Sequence, residues 1–323
     1  MRMKSSNRST RDRPLLKGIH PETLGLAFGF LGVLIFSLTL PATRLAVAEL
    51  DATVVGLGRA VVAAVLAALL LKATKQPLPS QRHLPSLVMI AAGVIVGFPL
   101  LSAWAMRSLP AAHGAIVLGI LPLATALAGA VRTGTSARSS YTERPSPAFW
   151  LYSCLGSAIV VLFTLLSGGG RLQVADLALL GAVAAAAIGY AEGGRLSREL
   201  GGWQVICWAL VLSAPFLAVP VTIALLHQGF HASIQSWLGF AYVSVFSMFL
   251  GFFAWYHGLA IGGVARVSQV QLLQPFLTLF ASALLLHEQI TLLTIGTALI
   301  VVVVVALGRK APIARFTEMP EKL

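Results

Sequence analysis

Charge is what this sequence lacks most. Only 11% of its 323 residues are charged, against roughly 25% in soluble domains. Meanwhile 57% are hydrophobic and the mean hydropathy is +0.86. A soluble fold of this length has no interior large enough for that apolar share, so a polytopic membrane protein is expected. Acids are scarcer still, 11 Asp+Glu against 23 Lys+Arg. The central parts of the apolar runs read as free of acid, which speaks against a carboxylate proton relay. Cysteine is nearly absent. Cys154 and Cys207 lie inside apolar runs, with neither metal spacing nor a disulfide framework. There is no Walker A sequence, no nucleophile elbow and no HExxH pair. The expectation is therefore no enzyme, no ATP-driven pump, no cofactor and no metal site.

What is present is a set of ten apolar runs: 24–40, 52–71, 84–105, 111–131, 148–166, 174–191, 203–226, 236–256, 264–286 and 289–307. Each must be helical, because backbone groups in lipid have to be satisfied within the segment. The first is a full span rather than a signal-peptide core, and the basic arm before it, residues 1–23, stays cytoplasmic. With that arm inside, eighteen Lys and Arg fall in cytoplasmic segments. Only Arg44, Arg107 and Arg171 fall in links on the other side. This asymmetry predicts ten spans with both termini cytoplasmic, in the inner (plasma) membrane. The net charge of +12 then reflects topology and contact with membrane lipid, not nucleic acid.

The ninth run is oddly polar. It carries Arg266, Ser268, Gln269, Gln271, Gln274, Thr278 and Ser282, more than a lipid-facing helix tolerates. Spacings of three and four put most of them on one face. The fourth run resembles it. Pro122 aligns with Pro275, and Trp104 and Trp255 occupy equivalent places in the preceding runs. Each half has five helices, so the halves insert in opposite orientations. The fold expected is all-α and integral to the membrane: ten transmembrane helices as two inverted five-helix repeats, residues 24–166 and 174–307, with a tail over 308–323. In such folds the site lies between the halves, near the midplane.

The stretch LLQPFLTLFASALLLHEQITLLTIGTALIVVVVVAL, with Pro275, Glu288 and Gly296, and the start FSLTLPATRLAVAELDATVVGLGRAVVAAVLAALLL, with Arg59, resemble the drug/metabolite transporter superfamily, the EamA-type ten-helix carriers. The first half lacks the counterpart of Glu288. The resemblance spans residues 24–307. It implies a secondary carrier that exports small polar metabolites, amino acids including aromatic ones, by alternating access.

Candidate substrate-cavity residues are Gln271, Gln274, Ser268, Arg266, Trp104, Tyr190 and His113. Pro122 and Pro275 are the candidate hinges. The glutamine amides need several partners each and so favour a cavity wall. Thr278 and Ser282 read as helix–helix contacts, and Gln269 as packing elsewhere. Arg266 either draws a solute carboxylate or snorkels to the interface. Arg59 is either paired with Glu49 or Asp51 or touches solute. His113 is either interfacial or functional, and Glu288 favours a helix start. Trp104 and Tyr190 either join an interfacial belt or stack on a ring-bearing solute; Gly193 and Gly194 are expected to open room near Tyr190. The rival readings are a nucleotide-sugar or phosphometabolite carrier and a channel-like protein without a moving cycle.

Overall fold

The structure is a computed structural model that describes residues 20–135, 141–167, 174–287, 291–310 and 313–317. Ten helical runs follow in order: α1 Pro21–Ala46, α2 Val54–Ala73, α3 Gln81–Ala105, α4 Ala111–Gly129 with its helix continuing to Thr135, α5 Pro147–Ser167, α6 Val174–Leu200, α7 Gly202–Gln228, α8 Ile234–Gly262, α9 Val264–Leu286 and α10 Leu292–Lys310. Among the described residues eight of them, α1–α4 and α6–α9, are each long and apolar enough to cross a membrane; α5 and α10 complete the ten. A short antiparallel ribbon pairs β1 Tyr141–Pro145 with β2 Ile313–Thr317 outside the bundle. It ties the α4–α5 link to the segment after α10 and so places both at one face.

The burial pattern is that of a protein in lipid. Val65, Leu69, Val88, Phe216, Leu226 and Leu238 point outward and exposed, while Arg59, Asp176, Glu192 and Gln271 are buried inside. Apolar side chains facing outward lose nothing in hydrocarbon, whereas polar ones must turn inward.

Helix pairing carries the two-fold relation between halves. α1 packs along α8, and α6 packs along α3; α1 also meets α9, as α6 meets α4. The pairs α2–α7, α4–α9 and α5–α10 are their own counterparts. Moving every helix five places along the chain maps this set onto itself, which is the signature of an inverted repeat. Local geometry repeats as well. α4 passes through a tight 3-10 stretch, Leu118–Ile120, and resumes as an α-helix with Pro122 as its second residue. α9 does the same through Ser268–Leu273, with Pro275 second. Proline has no N–H, so it fits the first turn of a restarted helix, where no intrahelical partner is required. α3 and α8, also counterparts, share wider π-wound stretches at Ala91–Gly97 and Val243–Leu250.

Glycine sets the closest crossing. A Cβ added at Gly25 of α1 would lie 2.4 Å from Cα of Gly262 in α8. The counterpart crossing, α3 on α6, brings the Gly93 position within 3.1 Å of Cα of Gly189. Only a missing side chain lets these backbones approach so far.

Candidate functional site

The polar stripe of α9 faces the inside of the bundle. Ser268, Gln271, Gln274, Thr278 and Ser282 are all buried. Ser268 is satisfied locally by the Ala265 carbonyl at 3.2 Å. Gln269, expected to pack elsewhere, donates to Ser153 of α5 at 3.3 Å. Gln271 is different. It is 1% exposed, and neither Oε1 nor Nε2 has a hydrogen-bond partner. Ser282 Oγ is also without a partner. So is Thr125 Oγ1 of α4, the counterpart of Thr278 in the Pro122–Pro275 register. Each such buried group costs about 1–3 kcal/mol, which selects against them in a helix that serves only as a wall.

A second cluster lies where α1, α6 and α8 meet. Tyr190 is buried, not at an interface. Its ring lies 5.3 Å from Trp255, 6.0 Å from Phe252 and 6.3 Å from Phe36, the last nearly parallel at 11°. Phe36 closes the ring set at 5.1 Å from Phe252 and 6.2 Å from Trp255. Trp255 is fully buried and its indole N–H is unpartnered. Gly193 leaves no free room here, contrary to expectation: a Cβ there would meet the Tyr256 ring at 2.2 Å, so Tyr256 already fills the space. The Tyr256 hydroxyl donates to the Gly189 carbonyl at 3.2 Å. Trp104 is 44% exposed and makes no ring contact among the described residues, so it stands apart from this cluster.

Arg59 of α2 is 2% exposed and within electrostatic reach of Tyr190. It does not pair with Glu49 or Asp51. The Glu49 carboxylate is engaged by the α7–α8 link instead, and the Asp51 carboxylate accepts locally from the Thr53 amide at 2.7 Å. The Glu49 carboxylate accepts from the Ser233 amide, and Gln228 bridges the Glu49 carbonyl and the Asp51 amide at 2.5 Å each. Nε and Nη1 of Arg59 have no partner.

The two charged candidates at helix starts are both engaged. Arg266 of α9 binds Glu22 of α1 at 2.7 Å, and His113 of α4 binds Asp176 of α6 at 2.5 Å. In the Pro122–Pro275 register, His113 and Arg266 are the same position. Their partners stand at the starts of α1 and α6, again counterparts. One contact thus appears twice, once at each face. Two further fasteners follow the same relation. His83 and Ser86 of α3 meet Glu199 and Arg195 of α6 at 3.4 and 2.9 Å, at the face of Glu22. The Glu49–Gln228–Ser233 set closes the opposite face. An open depression of about 620 Å³ lies beside the first of these, lined by Gln76, Arg82, His83, Glu199, Gln204 and Trp208.

One expectation about acids is corrected. α6 runs on to Leu200, past the apolar run ending at 191, so Glu192 lies inside a helix and is fully buried. Arg195 one turn later holds it at 2.7 Å, which is why a charge can sit there. Glu288 lies outside the described residues. Sequence reasoning passed over Phe36, Phe252, Thr125, Glu22 and Asp176. Two signals were available: the Pro122–Pro275 register points to Thr125, and its match of Arg266 with His113 calls for an acid near each.

Comparison with known proteins gives three findings. The chain matches the EamA-like transporter family twice, over residues 23–140 and 173–308. It is 45% identical over 293 residues to the uncharacterized transporter YdeK of Bacillus subtilis (strain 168), covering 90% of this chain and 99% of that one. A crystal structure of a protein 17% identical in sequence superposes with a TM-score of 0.67, over 88% of this chain and 98% of the other. At that identity the likeness speaks for the fold alone.

Proposed function

Since the chain belongs to the EamA-like transporter family, we propose that this multi-pass membrane transporter exports small polar metabolites, amino acids including aromatic ones first among them, by alternating access. Both termini are cytoplasmic and the membrane is the inner, plasma membrane. The observation that carries the reading is Gln271. Its amide is buried in the middle of the bundle with donor and acceptor both unpartnered. A passing solute supplies what the fold withholds. Gln274 and Ser268 extend the same face, and Tyr190 adds a ring on which an aromatic solute stacks. Pro122 and Pro275 are the hinges, each placed where a helix restarts after a 3-10 stretch. Arg266 and His113 act at the mouths, through Glu22 and Asp176, rather than in the cavity. Residues 24–166 and 174–307 move as the two repeats.

A nucleotide-sugar or phosphometabolite carrier would need several free cations inside. Within the spans Arg266 is paired, so among the described residues Arg59 is the one buried cationic side chain with unpartnered nitrogens. The test is a solute panel in proteoliposomes. Saturable uptake with counterflow is expected, lost or at least tenfold reduced in Gln271→Ala and Gln274→Ala. Linear, non-saturating flux without counterflow would make the protein a channel. Unchanged uptake of every solute in both variants would remove the α9 face from the path.

A further inference from the structure

The open depression beside the His83–Glu199 fastener, about 620 Å³ in volume, is walled by the α2–α3 link, the start of α3, the end of α6 and the first two turns of α7. Three of its polar groups are left with capacity to bind. Gln204 of α7 folds back over Gly201, where φ is +92° and a Cβ would stand 2.2 Å from the amide oxygen Oε1. That oxygen is buried and has no hydrogen-bond partner. Arg82 of α3 is exposed and donates Nε–H to His83 Nε2 at 3.1 Å; among the described residues its Nη groups make no bond within the protein. The Glu199 side chain is 43% exposed and is shared between Arg195 at 3.1 Å and His83 at 3.4 Å. One hollow thus offers a cation, an anion and a buried acceptor. A simple anion answers Arg82 alone. A zwitterion with an oxyanion and an N–H-bearing ammonium answers all three.

The place of the hollow in the bundle selects among zwitterions. Trp208 lies one turn beyond Gln204 and lines the depression, half-buried. Leu212, Pro215 and Val219 follow it at spacings of four, three and four, which puts them on the same face of α7. All three are exposed. From Trp208 to Val219 the helix rises about 16 Å, close to half the roughly 30 Å thickness of the hydrocarbon core. An apolar strip one leaflet deep therefore begins at the hollow, with a tryptophan at the level where headgroup gives way to chain. A free amino acid would fill the hollow and leave the strip unused.

We infer that this depression holds the headgroup of an aminophospholipid of the phosphatidylethanolamine type. The phosphate lies on the Arg82 guanidinium, which binds it through N–H···O bonds. The ammonium lies on Gln204 Oε1 and Glu199 and supplies the donor that the amide oxygen lacks. The acyl chains run along the α7 strip. A choline headgroup carries the same charge but no N–H for Gln204. A glycerol headgroup has hydroxyl donors but no positive charge for Glu199. Lipid binding here requires no transported solute, so it stands or falls apart from the transport reading.

The test titrates purified full-length protein in detergent with dioleoyl phosphatidylethanolamine, phosphatidylglycerol or phosphatidylcholine, so that only the headgroup varies. Bound lipids are counted by native mass spectrometry. One ethanolamine lipid per chain should bind at least about tenfold more tightly than the choline lipid, the size of one hydrogen bond to a charged group, and more tightly than the glycerol lipid. Gln204→Leu should cut the preference over choline to about threefold or less. Arg82→Gln should weaken the ethanolamine and choline lipids alike, severalfold, because both carry the phosphate. Soluble glycerophosphoethanolamine should displace the lipid only at a concentration far above the lipid's own. Equal binding of the ethanolamine and choline lipids would overturn the proposal, as would tightest binding of the glycerol lipid or an ethanolamine preference intact in Gln204→Leu. Displacement by glycerophosphoethanolamine at the lipid's own concentration would give the hollow to a soluble phosphate ester and overturn the lipid assignment. Should Gln204→Leu fail to fold, the wild-type headgroup series and Arg82→Gln decide.

Discussion

Replacing Arg266 by glutamine should unlock one face of the molecule and leave the other closed. The contact removed is the 2.7 Å pair with Glu22, whose side chains are 18% and 32% exposed. Fully exposed pairs contribute about 0.2–1 kcal/mol, whereas cutting one partner from a fully buried pair costs about 3–5 kcal/mol. A pair this far from water lies between, at about 1–2 kcal/mol. If the contact exists only while that face is closed, its loss multiplies the open population by roughly 5–30. The pseudo-symmetry supplies matched reporters. Ser268 stands two residues past Arg266 and Ala115 two past His113, and both are buried. Each is replaced by cysteine in a background lacking Cys154 and Cys207, and the rate of modification by a charged thiol reagent is measured. Arg266→Gln should raise the Ser268→Cys rate by that factor and hold or lower the Ala115→Cys rate. His113→Gln should do the reverse. In a double-mutant cycle Glu22→Gln and Arg266→Gln should share one loss, not add. Equal acceleration at both reporters would mean loosened packing, and no change at either would mean the pair contributes nothing to closure. Either result refutes the reasoning.

Three other outcomes follow from the same geometry. Gln271→Leu removes an unsatisfied amide and should raise thermal stability in detergent, by about 1–3 kcal/mol, while abolishing transport; a destabilised but active variant would contradict the cavity assignment. Gly25→Val forces side-chain atoms against the α8 backbone, 2.4 Å from the Cβ position, and should cost at least about 1–3 kcal/mol, seen as a melting temperature lowered by several degrees; an unchanged melt would mean that α1 and α8 are not locked at this crossing. Pro275→Ala should leave helix content by circular dichroism unchanged yet slow counterflow severalfold, and an unaltered rate would dismiss the hinge.

The helices were legible because lipid leaves few options. Ten apolar runs with short links have to be ten helices, and odd-numbered halves have to invert. What the runs could not give was their length. Hydropathy ended the sixth at 191, but α6 continues through Glu192, Arg195 and Glu199 to Leu200. An internal ion pair keeps those charges helical and partly buried, and window hydropathy has no term for pairing. The polar face of α9 was readable from spacing alone. The aromatic cluster was readable only at Tyr190, since Phe36 and Phe252 look like any apolar residue in a span until three helices converge on them. Arg59 illustrates the same limit. Nearness in sequence offered Glu49 and Asp51, but the Glu49 carboxylate is taken by the Ser233 amide of the α7–α8 link and the Asp51 carboxylate by the Thr53 amide just before α2.

The repeat also shows where the two halves diverged, and this bears on how the protein works. At the position shared by His113 and Arg266, one face uses an imidazole and the other a guanidinium, each with its acid. At the position shared by Thr125 and Thr278 both halves keep a hydroxyl, buried in each. At the positions of Gln271 and Gln274 the first half has Leu118 and Leu121. Contacts that fasten the ends are thus alike in kind across the pseudo-two-fold, as is the Thr125–Thr278 position, while Gln271 and Gln274 have no polar counterpart. A cycle that closes each face in turn needs a fastener at both ends, so symmetry is useful there. A small solute held between the halves presents unlike groups to its two sides, so the walls around it have to differ. The asymmetry therefore falls where a solute would touch, and the symmetry where the faces close.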